Sequence, residues 1–151
     1  MIDKDEVIRK ALRFPIEPVL KRYMAYFGVS EDEAHEHELE LKRYLVLSAL
    51  NKGKGYLPST PVANLWHTFI LFTMLYTEFC ASVTGGYIHH TPPEAKLRPA
   101  TERDQSYSEL LRDYEAVFKS QPPSHIWPRN AGEVEVAALF SDGNENLAQN
   151  Y

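Results

Sequence analysis

A chain of 151 residues fits one domain, and at that length it buries enough surface to fold without a disulfide or a structural metal. Its net charge of −5, with 44% apolar and 25% charged residues, argues against wholesale disorder and against a general pull toward nucleic acid or an anionic membrane. Cys80 is the one cysteine, so an internal disulfide is excluded; with no apolar leader core at the amino terminus, a cytoplasmic location is expected.

Residues 3–13 are predicted as a short helix, with Val7, Ile8, Ala11 and Leu12 at helical spacing and Pro15 ending it. Pro18 suits the first turn of a second helix that runs to about Phe27, and Gly28 is a plausible stop. Ser30 and Glu33 have capping-box spacing, and Glu31, Asp32 and Glu33 are acids where the helix dipole favours them. This third helix should be amphipathic at first and buried on all sides from Tyr44 to Leu50. A loop follows at Asn51–Gly55. A fourth helix is expected from Ser59 or Thr60, with Pro61 in its first turn, to about Thr84. Asn64, His67, Thr73, Thr77 and Glu78 make it too polar for a membrane span. It reads instead as the central core helix. Gly85-Gly86 stops it, Tyr87-Ile88 is extended, and His89-His90-Thr91-Pro92-Pro93 is a turn or extended arm.

Residues 94–103 read as polar and irregular. A fifth helix is expected from about Asp104 to Phe118, with Tyr107, Leu110, Leu111, Tyr114, Val117 and Phe118 inward. His125-Ile126-Trp127-Pro128 reads as an extended segment on a surface groove. Residues 131–140 could form a short helix or strand, and 141–151 should fray. The expected fold is all-α: one domain over 1–151, an irregular bundle of about five helices around the apolar helix at about 60–84.

The side chains with metal or proton chemistry in this central region are His67, Cys80, His89 and His90. Imidazole and thiolate are ligands for zinc, iron or copper, and histidine moves protons near neutral pH. On an unbroken helix His67 and Cys80 stand roughly 20 Å apart along the axis and about 220° around it, too far to share an ion. His89 reaches at most roughly 17 Å beyond Thr84, while His67 lies roughly 25 Å back along the helix. A His67–His89 site is therefore possible only with a nearly taut return, whereas Cys80 lies within easy reach of His89 or His90. If one site does gather His67 with His89, the helix must end early or break. Adjacent residues of an extended segment point opposite ways, so His89 and His90 should not aim at one point. At most two or three ligands result, which suits an open metal site better than a closed structural zinc site. Tyr76, one turn before Cys80, shares its face.

Plainer roles compete with these. His67 can be a core histidine with a hydrogen-bond partner, and Cys80 a small packed hydrophobe. Trp66 and Trp127 read as packing anchors, and His89-His90 as a brace for the turn. His35 and His37, among Glu31, Glu36, Glu38 and Glu40, read as part of a solvated acidic face. No phosphate-binding glycine loop, GxSxG, HExxH or CxxC motif is present.

The stretch PSTPVANLWHTFILFTMLYTEFCASVTGGYIHHTP, residues 58–92, resembles a bacterial family of small uncharacterised helical proteins described as glycine-rich domain-containing protein-like. The resemblance rests on Pro58-Ser59, Trp66-His67-Thr68, Tyr76, Phe79-Cys80, Gly86 and His89-His90 with Pro92. Leu41–Leu45 upstream and Tyr114, Phe118 and Pro122-Pro123 to Ile126-Trp127-Pro128 downstream also look alike, so about residues 40–130 are covered. Family members often carry an acid shortly before Trp-His, where this chain has Ala63-Asn64. The resemblance implies a helical fold and marks the Trp-His, Cys and His-His positions, but it implies no reaction. Two functions are then expected. One is a non-catalytic binding or adaptor module that meets a protein partner through an aromatic surface of Tyr87, Ile126 and Trp127. The other is a metal-binding or proton-handling protein using Cys80, His89 and His90, with His67 as a further ligand and Trp66, Tyr76 and Tyr87 in support. A metal-free enzyme using His67 as acid or base is a weaker third, because no nucleophile partner is evident.

Overall fold

Asp3 opens the first helix by accepting hydrogen bonds from the backbone N–H groups of Asp5 and Glu6. A computed structural model describes residues 3–90 and 100–129, and its elements are all helices. They are α1 (Lys4–Arg13), α2 (Glu17–Phe27), α3 (Glu31–Leu50), α4 (Thr60–Leu71), α5 (Thr73–Thr84) and α6 (Ala100–Phe118). The boundaries follow local chemistry. Pro18 sits in the first turn of α2, and Gly28 closes that helix at φ 66°, a left-handed conformation that glycine adopts without strain. Ser30 and Glu33 form the full capping box on α3. The helix α6 starts at Ala100, earlier than the composition of its first turn suggested. The expectations for 91–99 and 130–151 lie outside the described residues. Among the described residues, no helix is long and apolar enough to cross a membrane.

The predicted bundle is present, but its centre is elsewhere. The segment 60–84 is two helices, broken at Phe72, whose ψ of 69° leaves the helical region. No proline or glycine marks the break. Thr68 and Thr77 turn their hydroxyls onto the carbonyls of Asn64 and Thr73, a bond that loosens and bends helices. Packing rewards the break: Phe69 on α4 meets both Tyr76 and Phe79 on α5, edge to face, at 5.0 and 5.3 Å between ring centroids. The element that touches most others is α3, which packs against α1, α2, α4 and α6.

That central helix carries buried charge. The expected solvated acidic face holds only for its first turns. Glu40 is 2% exposed and Lys42 3%. Lys42 Nζ donates to the carbonyl of Phe14 at 2.6 Å and to Glu38 at 2.8 Å, so a cation closes the carboxyl end of α1. Glu40 Oε1 accepts from the Tyr114 hydroxyl at 2.7 Å and from Trp127 Nε1 at 2.9 Å, while Arg43 lies against its other oxygen and against the rings of Tyr114 and Phe118. Ile126 and Trp127 are not an extended surface strip. Both backbone N–H groups turn back to the Pro123 carbonyl, and both side chains are buried. Tyr44 joins the two tryptophans, at 5.3 Å from Trp66 and 6.2 Å from Trp127.

Removing the Glu40 carboxylate leaves Arg43, the Tyr114 hydroxyl and the Trp127 N–H without their shared acceptor. Glu40→Ala should cost about 3–5 kcal/mol of unfolding free energy in urea titration, and Glu40→Gln, which keeps an acceptor oxygen, clearly less. Equal costs for the two would show that the carboxylate's hydrogen bonds do not hold the carboxyl-terminal turn in place.

Candidate functional site

The break at Phe72 brings α5 alongside α4, and one hydroxyl ties the result together. Trp66 Nε1 donates to the Tyr76 oxygen at 3.0 Å, and Tyr76 in turn donates to the Ile88 carbonyl at 2.6 Å. Burial raises the proton affinity of Tyr76 well beyond that of an exposed phenol, so it remains a donor at any physiological pH. The return after Gly85, itself left-handed at φ 74°, is therefore pinned at Ile88.

Two residues further, on the same side of the extended chain, His90 lies against both Trp66 and His67. Its ring stacks on the Trp66 indole with centroids 4.3 Å apart at 21°, and it lies edge to edge with the His67 ring, nearly in one plane, with centroids 4.5 Å apart at 22°. The Nε2 atoms of His67 and His90 meet head to head. Both rings are partly buried. Burial lowers the proton affinity of His67, and burial together with the charge of His67 pushes His90 down to about 3. Both imidazoles are neutral at pH 7. Among the described residues, no carboxylate acts on either ring.

The other expected ligands lie apart from this pair. His89 is exposed and packs against the exposed ring of Tyr87 at 4.8 Å, on the side of the return opposite His90. Tyr87 also meets Tyr76 at 5.3 Å, so it shields the hydroxyl relay. Cys80 is fully buried, and burial pushes its thiol up against smaller lowering effects of the Ile88 backbone and the Tyr76 hydroxyl. Among the described residues, no three His, Cys, Asp or Glu side chains converge to hold a metal. The pairing that sequence geometry put within easiest reach, Cys80 with His89 or His90, is thus replaced by His67 with His90. The reason is the helix break, which removes the long span separating them.

Two further histidines are accounted for elsewhere. His37 Nδ1 is 2.8 Å from the Tyr23 hydroxyl, and His125 pairs with Glu36. Neither pair touches the His67–His90 site. Asn64, one turn before His67, was visible in the sequence only as a polar interruption; its i to i+3 spacing from His67 is the signal that places both on one face.

The family model described as UCP032817-like matches residues 3–121, and the chain belongs to that family. No curated protein and no solved structure matches the chain.

Tyr76→Phe keeps the ring and deletes the hydroxyl. Two buried groups lose their partner, so a loss of about 1–3 kcal/mol is expected in chemical denaturation. The His90 ring protons should also move in NMR, because the return is no longer held over Trp66. Unchanged shifts would show that the hydroxyl does not position His90.

Proposed function

We propose, for this member of the UCP032817-like family, a non-catalytic helical binding module that holds a divalent transition-metal ion between His67 and His90. The carrying observation is the head-to-head contact of two Nε2 atoms on imidazoles that burial keeps neutral. Two such nitrogens cannot meet without a proton or a cation between them. Neutral imidazole is the ligating form, and it suits zinc, copper and iron. Trp66 holds the plane of the His90 ring, and Tyr76 fixes the backbone that carries it, so both act on the site through position. Two protein nitrogens leave the remaining coordination positions to water or to a partner's side chain.

The aromatic partner surface expected from the sequence is not formed, because Ile126 and Trp127 are interior. Tyr87 and His89 stand exposed beside the pair and form the rim that a partner would meet. Kinship with the glycine-rich domain-containing protein-like family, read from Trp66-His67 and His89-His90, and a cytoplasmic location belong to the same proposal; the family match does not bear on either.

Untagged apo-protein titrated calorimetrically with zinc or copper should bind about one ion. His67→Ala and His90→Ala should each weaken binding at least about tenfold, and exposed His35→Ala should leave it unchanged. The pH profile carries a sign. An ordinary histidine pair loses ions to protons as pH falls through about 6.5. Here both proton affinities are lowered, so loss of the ion should set in at a lower pH than for an ordinary histidine pair. Absence of stoichiometric binding for every metal tried would leave the contact as a plain imidazole–imidazole hydrogen bond and sink the proposal.

A further inference from the structure

The pair of imidazoles is an incomplete donor set, and α4 carries a further oxygen on the same face. Thr60, Asn64 and His67 are spaced by four and three residues, which lines them up along one side of the helix. Asn64 Oδ1 and Thr60 Oγ1 are both buried and both lack a hydrogen-bond partner. With Ser59 Oγ at the N-cap, they make three unpaired buried oxygens at the start of α4, whereas further along the hairpin the hydroxyls are paired. Thr68, Thr77 and Thr84 each place their hydroxyl on the carbonyl four residues earlier, at 2.9, 2.7 and 2.9 Å. A buried amide oxygen without a donor, one turn from a ligating histidine, is the kind of exception that calls for a ligand.

We infer that Asn64 supplies the third protein donor, through Oδ1, to the ion held by His67 and His90. The inference rests on the histidine-pair reading above. Its chemistry has a consequence. Two imidazoles and an amide are all neutral, so a divalent ion keeps its full charge in the site. The fourth position then favours an anionic oxygen ligand over neutral water, and a small carboxylate is the class that fits.

The test is calorimetric titration of untagged wild-type protein, Asn64→Asp and Asn64→Leu with zinc chloride, with far-ultraviolet circular dichroism to verify the apo fold. A carboxylate at residue 64 should tighten zinc binding at least about tenfold, and leucine should weaken it by about the same factor. Wild-type affinity in both variants overturns the role of Asn64 and leaves the histidine pair standing. Failure of the wild type to bind zinc, and copper in the same titration, overturns the pair reading and this inference together. Should Asn64→Leu not fold, the visible spectra of the cobalt(II)-loaded wild type and Asn64→Asp decide: identical bands mean that residue 64 does not ligate.

Discussion

A single hydroxyl, that of Tyr76, has to satisfy two buried groups at once. Among the described residues, the Trp66 indole N–H donates to this oxygen alone, and the Ile88 carbonyl belongs to a stretch of backbone with no strand to pair with. In an all-helical protein the backbone between helices must find its partners among side chains, and here one tyrosine does so for the residue that sets the register of the whole return. Once Ile88 is inward, alternation along an extended chain puts His90 on the same side and Tyr87 and His89 on the other. The histidine pair is thus a consequence of a hydrogen bond made two residues away.

The helix α3 shows how a charged sequence can be a core. Residues 40 and 42 lie about 200° apart around the helix, so their charges serve opposite neighbours. Lys42 meets the carbonyl end of α1, where partial negative charge collects. Glu40 meets the N–H and O–H groups at the edges of Trp127 and Tyr114. In each case a full charge is matched to donors or acceptors that fixed geometry holds in place, which is the condition under which burial of an ion is tolerable. Arg43, stacked on two rings and bonded to the Tyr114 hydroxyl at 2.6 Å, completes the carboxylate's surroundings.

Much of this was legible from residues alone, and the exceptions share a cause. Helix ends are readable because their chemistry is local: Ser30 with Glu33, Pro18, Pro61, Gly28 and Gly85 act within a few residues. The break at Phe72 was not, because no residue there forbids a helix; the aromatic contacts of Phe69 with α5 decide it. Glu40 looked like one acid among several, because the partners that bury it are 74 and 87 residues further along the chain. The candidate site was legible in conditional form. Reach along a straight helix sets His67 apart from His89 and makes an interruption the requirement for joining them. The interruption is present, and the partner is His90, two residues beyond the pinned Ile88.

The break at Phe72 lies inside two closures of different reach. His67 and His90 are joined across 23 residues, whereas Glu40 and Trp127 are joined across 87. Loop-closure entropy grows only with the logarithm of length, so the longer closure costs about 1.2 kcal/mol more than the shorter. What differs is the set of contacts each must open with. The hydrogen bonds of the carboxyl-terminal turn and of the α4–α5 hairpin are separate, but Tyr44 of α3 packs against Trp127 of the one and Trp66 of the other. Lifting the turn therefore strips a ring contact from the residue that also packs on Trp66, and the two closures share one aromatic hinge in α3.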